Sequence, residues 1–460
     1  MRVPPFEVNN DCKYFTVPDE HRSEGVENAD FVLYVAAGTR DPFGVTCAVE
    51  NSTGRPIVGA MNYVPQLQDG IRFDVRRVAR EIAHALGFSF VEMEKKGIVT
   101  EVELRGEKRK VVSSTKTVEK AQKHYNCSNL KGMELEVYSY GTQYHWARRI
   151  AKDELMALSY FNNGGYYTAL TMALFEDLQY YKANWGMEEQ MSWGNQSGCD
   201  FLQERCMEKN NKVRYPEYFC NETIFRCTSD RIAYSSCHVP SSMYLENKDI
   251  CRVTENYGSV DVDNKTVYLP LALCTDNKTD TVKLPGSIMG PDSWCLDAEL
   301  TVKGDAASAI LNQNGVCARV LCDYEKRTVK VQYKGSNTFT ECSEGSSIDV
   351  KSSVFESGKI KCPKYDEVCT IAYNGSSHVP FVVNRPPAAT AEESASFGDT
   401  SVQGDQGNNG TTINSRSRRD TTAVTSSTTS NNTQAAAAAG VTSPSGEENA
   451  NTNALSQYPG

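Results

Sequence analysis

Residues 74–90 read Asp-Val-Arg-Arg-Val-Ala-Arg-Glu-Ile-Ala-His-Ala-Leu-Gly-Phe-Ser-Phe, and two of them are spaced for hydrolytic chemistry at a metal. A zinc helix of the H-E-x-x-H type carries two histidines four residues apart on one face, with the glutamate as general base. Glu81 and His84 hold two of those positions and Gly87 follows, but the first ligand position is Arg80. A guanidinium has no lone pair to give a metal and does not deprotonate in proteins. The segment thus offers one base, one imidazole and a fixed cation.

Val75, Val78, Ala79, Ile82 and Leu86 form an apolar stripe at helical spacing. Asp74 is the expected N-cap and Gly87 the expected terminator. Positions 80, 81 and 84 lie off the stripe, toward a cleft or solvent. Taken alone, a surface amphipathic helix with a coincidental Glu and His explains the same residues.

Further along, His145 opens His145-Trp-Ala-Arg-Arg-Ile-Ala-Lys-Asp-Glu-Leu-Met156, and Gly164-Gly-Tyr-Tyr-Thr-Ala-Leu-Thr-Met-Ala-Leu-Phe175 follows. In metzincins the third histidine falls three residues after the glycine, and that position is Phe90 here. With Ala-His-Ala-Leu-Gly-Phe, these stretches resemble leishmanolysin, the trypanosomatid major surface protease family, from about Cys12 to the 370s. In that family a long insertion displaces the third ligand, and a Met-turn lies beneath the metal. The resemblance implies Zn2+ as cofactor, His84 and His145 as zinc ligands, Glu81 as general base and Met156 as the Met-turn residue. It also implies a proline after Met-Ala, where this chain has Leu158.

A chain of 460 residues can hold two or three domains. Net charge −10, with no basic stripe, argues against nucleic acid as a partner. Sixteen cysteines without a C-x-x-C zinc-ribbon pattern accompany nine N-x-S/T sequons, at Asn51, Asn126, Asn195, Asn221, Asn264, Asn277, Asn374, Asn409 and Asn431. Both features point to an oxidising secretory compartment and an extracellular or cell-surface protein. The first residues carry no apolar h-region and the last no hydrophobic tail. No apolar run is long enough to span a bilayer. Family members carry a signal peptide, a pro-segment and usually a glycolipid anchor. The chain therefore reads as N-terminally incomplete, with membrane association only through an anchor not visible in it.

The expected fold class is α+β. Residues 1–90 read as a metzincin-like module, with strand-like runs at Phe31–Ala37 and Ile57–Met61 ending in the Glu81 helix. Residues 91–204 read as a central helical subdomain with His145, the Met-turn and a helix from Tyr166 to Tyr181, whose Leu170, Leu174 and Leu178 stripe is core. Residues 205–384 hold twelve cysteines and short alternating strands such as Thr328–Tyr333, a disulfide-stapled β domain. The resemblance implies Cys12–Cys47 and Cys127–Cys199 bridges, the remaining pairs staying within the C-terminal region. Residues 385–460 are Ser-, Thr-, Asn-, Ala- and Gly-rich and are expected to be disordered. Thr421–Thr433 suits an O-glycosylated stalk or a plain linker equally well.

Arg80 bears on the chemistry through two costs. Losing one of four ligands costs on the order of 3 kcal/mol of zinc affinity. A cation roughly 6 Å from a dication adds repulsion of about 5 kcal/mol at an effective dielectric of about 20. Zinc loss is the expectation. The family reading is a surface zinc metalloendopeptidase acting on protein or peptide substrates, with host surface or matrix proteins as candidates, impaired in this copy. One alternative is a catalytically inactive surface glycoprotein serving adhesion or acting as an antigen. A two-histidine enzyme that tolerates Arg80, and a structural ectodomain of no protease ancestry, complete the readings.

Overall fold

In the computed structural model the described residues are 1–6, 10–37, 42–64, 71–137, 143–158, 163–208, 212–220, 222, 224–238, 251–254, 258–262, 265–269, 272–275, 284–303, 312–350 and 352–379. They belong to the first of two compact units, Met1–Ala388, the second being Ala389–Gly460. Most of the polar tail expected at 385–460 falls in the second unit, and all of it, with the 421–433 stretch, lies outside the described residues.

The fold is mixed α/β and sheet-rich. β1 (Val32–Ala37), β2 (Phe43–Val49) and β3 (Pro56–Tyr63) form a sheet in the order β1-β3-β2. β1 runs parallel to the central β3, with Val32 opposite Val58, and β2 runs antiparallel, with Val45 opposite Ala60. The apolar run Ile57–Met61 suits β3 because a central strand is covered on both faces. The helix Ile71–Ala85 follows and packs against β2 so closely that a Cβ on Gly44 would fall 1.8 Å from the carbonyl oxygen of Glu81. Only glycine fits there.

This helix buries a different set of side chains from the one its periodicity suggests. Val75 is 41 % exposed and Ile82 half-buried, while Arg72, Arg76, Glu81 and His84 are buried. The helix is covered on more than one side, so hydrophobic spacing does not select its buried face. Arg76 makes a two-pronged ion pair with Glu189 at 2.6 and 2.9 Å, and the Arg72 guanidinium lies 5.1 Å over the Trp294 ring. Asp74 is not the N-cap: the helix begins at Ile71, and Asp74 sits in its first turn, paired with Arg77 at 3.1 Å. A carboxylate in that turn still favours the positive helix end. At the other end Gly87 does terminate the helix, with φ +113°. Phe88 N–H donates to Ala83 O and Gly87 N–H to His84 O, the crossed pair of a Schellman cap.

The central segment sets a sheet beside its helices, the longest of them Thr115–Tyr125. β4 (Val99–Leu104), β5 (Glu107–Val112), β6 (Met133–Val137) and β7 (Tyr144–Trp146) form an antiparallel sheet in sequence order. Arg105 and Gly106, at φ +54° and +80°, make the turn between β4 and β5, as a tight hairpin requires. The helix expected over Tyr166–Tyr181 spans only Ala169–Asp177. Thr168 caps it by accepting from Leu170 N–H, Tyr166 is drawn into a bridge with Glu154, and Gln179 turns away at φ +63°. Leu170, Leu174 and Leu178 are fully buried, in one core with Phe88, Trp146 and Met156.

The C-terminal part centres on a six-stranded antiparallel sheet, in the spatial order Thr340–Cys342, Thr328–Gln332, Asn312–Asp323, Ser293–Val302, Phe355–Lys361 and Ser347–Asp349. Trp294, Leu296, Val316, Val331, Phe355 and Ile360 form its core. Eight disulfides account for all sixteen cysteines. Cys12–Cys47 and Cys127–Cys199 are paired as the resemblance implied, and the other six bridges stay between Cys206 and Cys369.

Candidate metal centre

His84 lies in the last turn of the Ile71–Ala85 helix, and His145 in β7, 61 residues later. The two rings meet edge to face, their centroids 5.1 Å apart. The cap at Gly87 brings Phe88 O back over the helix end, 2.7 Å from His84 Nδ1. A carbonyl only accepts, so Nδ1 carries the proton and Nε2 keeps its lone pair. That nitrogen is buried, and among the described residues nothing hydrogen-bonds to it. Burial, and then the Arg80 charge, push the His84 pKa down to about 3. The same causes hold His145 well below the usual imidazole range. Both rings are neutral at physiological pH, the form a metal ligand takes.

Glu81 is buried on the same helix, its carboxylate accepting from Gly44 N–H. Burial raises its pKa, while Arg80 and the Gly44 hydrogen bond pull the other way. The packing of Gly44 against the helix is thus also what lets strand β2 hold this carboxylate.

Arg80 does not swing out to solvent. Its Nη1 donates to Leu155 O at 3.0 Å and to Ala157 O at 2.5 Å, the carbonyls on either side of Met156. The guanidinium therefore ties the helix to the turn that the sequence marks as the floor. Met156 is wholly buried. Its N–H donates to the Glu154 carboxylate, and its carbonyl accepts from Trp146 N–H at 2.9 Å. Leu158 N–H donates to Trp146 O at 2.9 Å, a bond that a proline there could not make. His145 precedes Trp146, so the same strand-to-turn bonding sets His145 above the turn.

Sequence reasoning missed two supports. Glu154 is a fully buried carboxylate that accepts from Thr171 Oγ1 at 2.6 Å and Thr168 Oγ1 at 3.0 Å, and burial pushes its pKa up to about 7. Glu189 anchors Arg76 and also accepts from Tyr167 N–H at 2.9 Å. The Asp-Glu-Leu-Met stretch flagged Glu154 without giving it a role. Nothing local distinguishes Glu189 from its neighbour Glu188.

A zinc site needs three protein ligands and an open position. Here two neutral imidazoles face a guanidinium that is bonded to protein carbonyls and close enough to depress both their pKa values. Among the described residues no group of three His, Cys, Asp or Glu side chains could hold a metal ion. The residues present do not fit catalytic zinc.

The sequence profile of the leishmanolysin peptidases matches residues 2–375. The chain belongs to the leishmanolysin family. It is 35 % identical over 392 residues to leishmanolysin of Leishmania major, covering 79 % of this chain and 63 % of that protein. It is 34 % identical over 389 residues to a leishmanolysin homolog of Crithidia fasciculata, covering 79 % and 59 %. A leishmanolysin-like peptidase of Caenorhabditis briggsae is 28 % identical over 285 residues, covering 47 % of this chain and 42 % of its own. The chain thus spans about three fifths of the length of the two trypanosomatid relatives. Leishmanolysins are zinc metallopeptidases, and among the described residues no helix is long and apolar enough to cross a membrane.

Proposed function

We propose that this chain is a leishmanolysin-type surface protein whose peptidase site has been disabled by Arg80. Glu81 stands in the position of the general base, His84 and His145 in those of two zinc ligands, and Met156 in that of the Met-turn. The observation that carries this reading is the pair of hydrogen bonds from Arg80 to Leu155 O and Ala157 O. They use the guanidinium as the link between helix and turn, in the centre where family chemistry requires a metal. Protein or peptide substrates follow from the family, host surface or matrix proteins being candidates, and the secreted or cell-surface setting fits eight disulfides. With hydrolysis weak or absent, the retained role is that of a surface glycoprotein in adhesion or as an antigen.

The second reading, an enzyme working with two histidines, draws on one observation: both imidazoles are neutral and Glu81 is retained. One comparison separates the two. Parent, Arg80→His and Arg80→His/Glu81→Ala are secreted behind a supplied signal peptide and family pro-segment, then measured for zinc content and casein cleavage. The parent is expected to hold no stoichiometric zinc and to cleave nothing. Arg80→His gains about one zinc per chain and some chelator-sensitive cleavage, and adding Glu81→Ala removes the cleavage but keeps the zinc. Chelator-sensitive cleavage by the parent would establish the two-histidine enzyme instead.

A further inference from the structure

Away from the Arg80 site, a cavity of about 470 Å³ opens between the turn at residues 192–195 and the C-terminal sheet. That volume is within the usual range of ligand sites. Its lining includes the half-buried Tyr218, the buried Trp193, and four basic and four acidic side chains. Five of these eight charges pair with one another. Arg231 is held by Asp297 at 2.6 Å and by Glu367 at 3.1 Å, and Lys361 lies 3.4 Å from Glu299. Such a wall presents many donors and acceptors with no net charge. It suits a neutral ligand rich in hydroxyls and amides, with the half-buried Tyr218 ring to take the ligand's C–H surface. A saccharide has that chemistry.

The rim supplies the tether. Asn195 lines the same cavity, is exposed, and begins the sequon Asn195-Gln196-Ser197. Its turn is held in place: Asn195 N–H donates to Ser192 O, Gln196 N–H to His124 O at 2.7 Å, and Ser197 Oγ–H to Gly194 O at 2.8 Å. No hydrogen bond among the described residues uses the Asn195 side-chain amide, so its Nδ2 is available to be modified. The Cys127–Cys199 disulfide closes the turn from the other side.

We propose that Asn195 carries an N-glycan whose first sugars lie in this cavity and fasten the 192–198 turn to the C-terminal sheet. The bond forms between Asn195 Nδ2 and the anomeric carbon of N-acetylglucosamine. Nδ2 gives up one proton and the lipid pyrophosphate of the secretory pathway's sugar donor leaves, with no change of oxidation state. This inference is independent of whether zinc binds.

The test uses the full chain, secreted from eukaryotic cells behind a supplied signal peptide. Peptide N-glycosidase digestion in heavy-oxygen water, read by mass spectrometry, gives occupancy and release rate at each sequon. Asn51 and Asn126, on exposed turns, are the references. Asn195 is expected to be occupied, and to be released from native protein about ten-fold more slowly than the references, the difference vanishing on denaturation. Asn314→Ala/Lys361→Ala alters two exposed groups of the cavity wall and should bring native release at Asn195 up to the reference rate. A bare Asn195, native release as fast as at Asn51, or slow release unchanged in the double variant overturns the proposal.

Discussion

Arg80 links its helix directly to the turn around Met156. Two hydrogen bonds from one guanidinium nitrogen, to Leu155 O and Ala157 O, form that link. Hydrogen bonds from a charged donor contribute roughly 1.5–3 kcal/mol each. Arg80→Ala should therefore lower stability by about 3 kcal/mol and the melting temperature with it. The parent's melting temperature should not move on adding chelator or zinc. That of Arg80→His should rise with zinc, because binding to the folded state alone is stabilising. Calorimetry with and without chelator checks both, and a chelator-dependent parent would contradict the Arg80 link. At the same scale, Glu154 sets a pH dependence. Its folded pKa of about 7 lies above the usual value for glutamate, so folding favours its protonated form. Its stabilising contribution is full below about pH 4.3, fades as pH rises through 7, and amounts to roughly 3 kcal/mol. Glu154→Gln fixes the neutral form. The variant should gain stability relative to the parent at pH 8 and match it near pH 5, as denaturant melts at the two pH values would show.

At the scale of elements, the helix Ile71–Ala85 presents the site, and its Schellman cap sets His84. Gly87 adopts φ +113°, which places Phe88 O over His84 Nδ1. Gly87→Ala brings a Cβ into that backbone conformation and should cost about 1–2 kcal/mol. Built into Arg80→His, the same change should also weaken zinc uptake, because loss of a partner that orients a histidine ligand typically costs about ten-fold or more in metal affinity. Equal zinc affinity with and without Gly87→Ala would show that the cap is only structural. The turn around Met156 is the complementary element. Its bonds to Trp146 and the Glu154 carboxylate hold it whether or not a metal is above it.

Over the whole molecule, eight disulfides supplement the hydrophobic cores. The bridges Cys206–Cys251 to Cys342–Cys362 cross-link the region that holds the six-stranded sheet. Closing such loops typically contributes about 2–4 kcal/mol each by restricting the unfolded chain. Non-reducing peptide mapping should return the eight pairs described, and mild reduction should unfold the C-terminal sheet. Mostly free thiols in secreted protein would contradict both the pairing and the extracellular setting.

What could be read without coordinates was the chemistry written in local runs of residues. Glu81, His84, Gly87 and the missing lone pair at Arg80 stand within eight positions. The Asp-Glu-Leu-Met stretch and the family resemblance supplied His145, Met156 and two of the disulfides. The β4–β5 hairpin is marked locally only by its Arg105-Gly106 turn, because Glu107-Lys-Arg-Lys-Val-Val on its far side shows no apolar alternation. Only the tertiary structure decided which face of the Arg80 helix is buried, because its periodicity marks Val75 and Ile82 while packing from several sides buries Arg72, Arg76, Glu81 and His84. It alone showed that Arg76 meets Glu189 113 residues away and that Arg80 reaches the carbonyls of Leu155 and Ala157. A side chain's type is fixed by its codon, but its partner is fixed by the folding of distant segments into one place. At this site the partners of Arg80 are backbone carbonyls 75 and 77 residues away in the sequence.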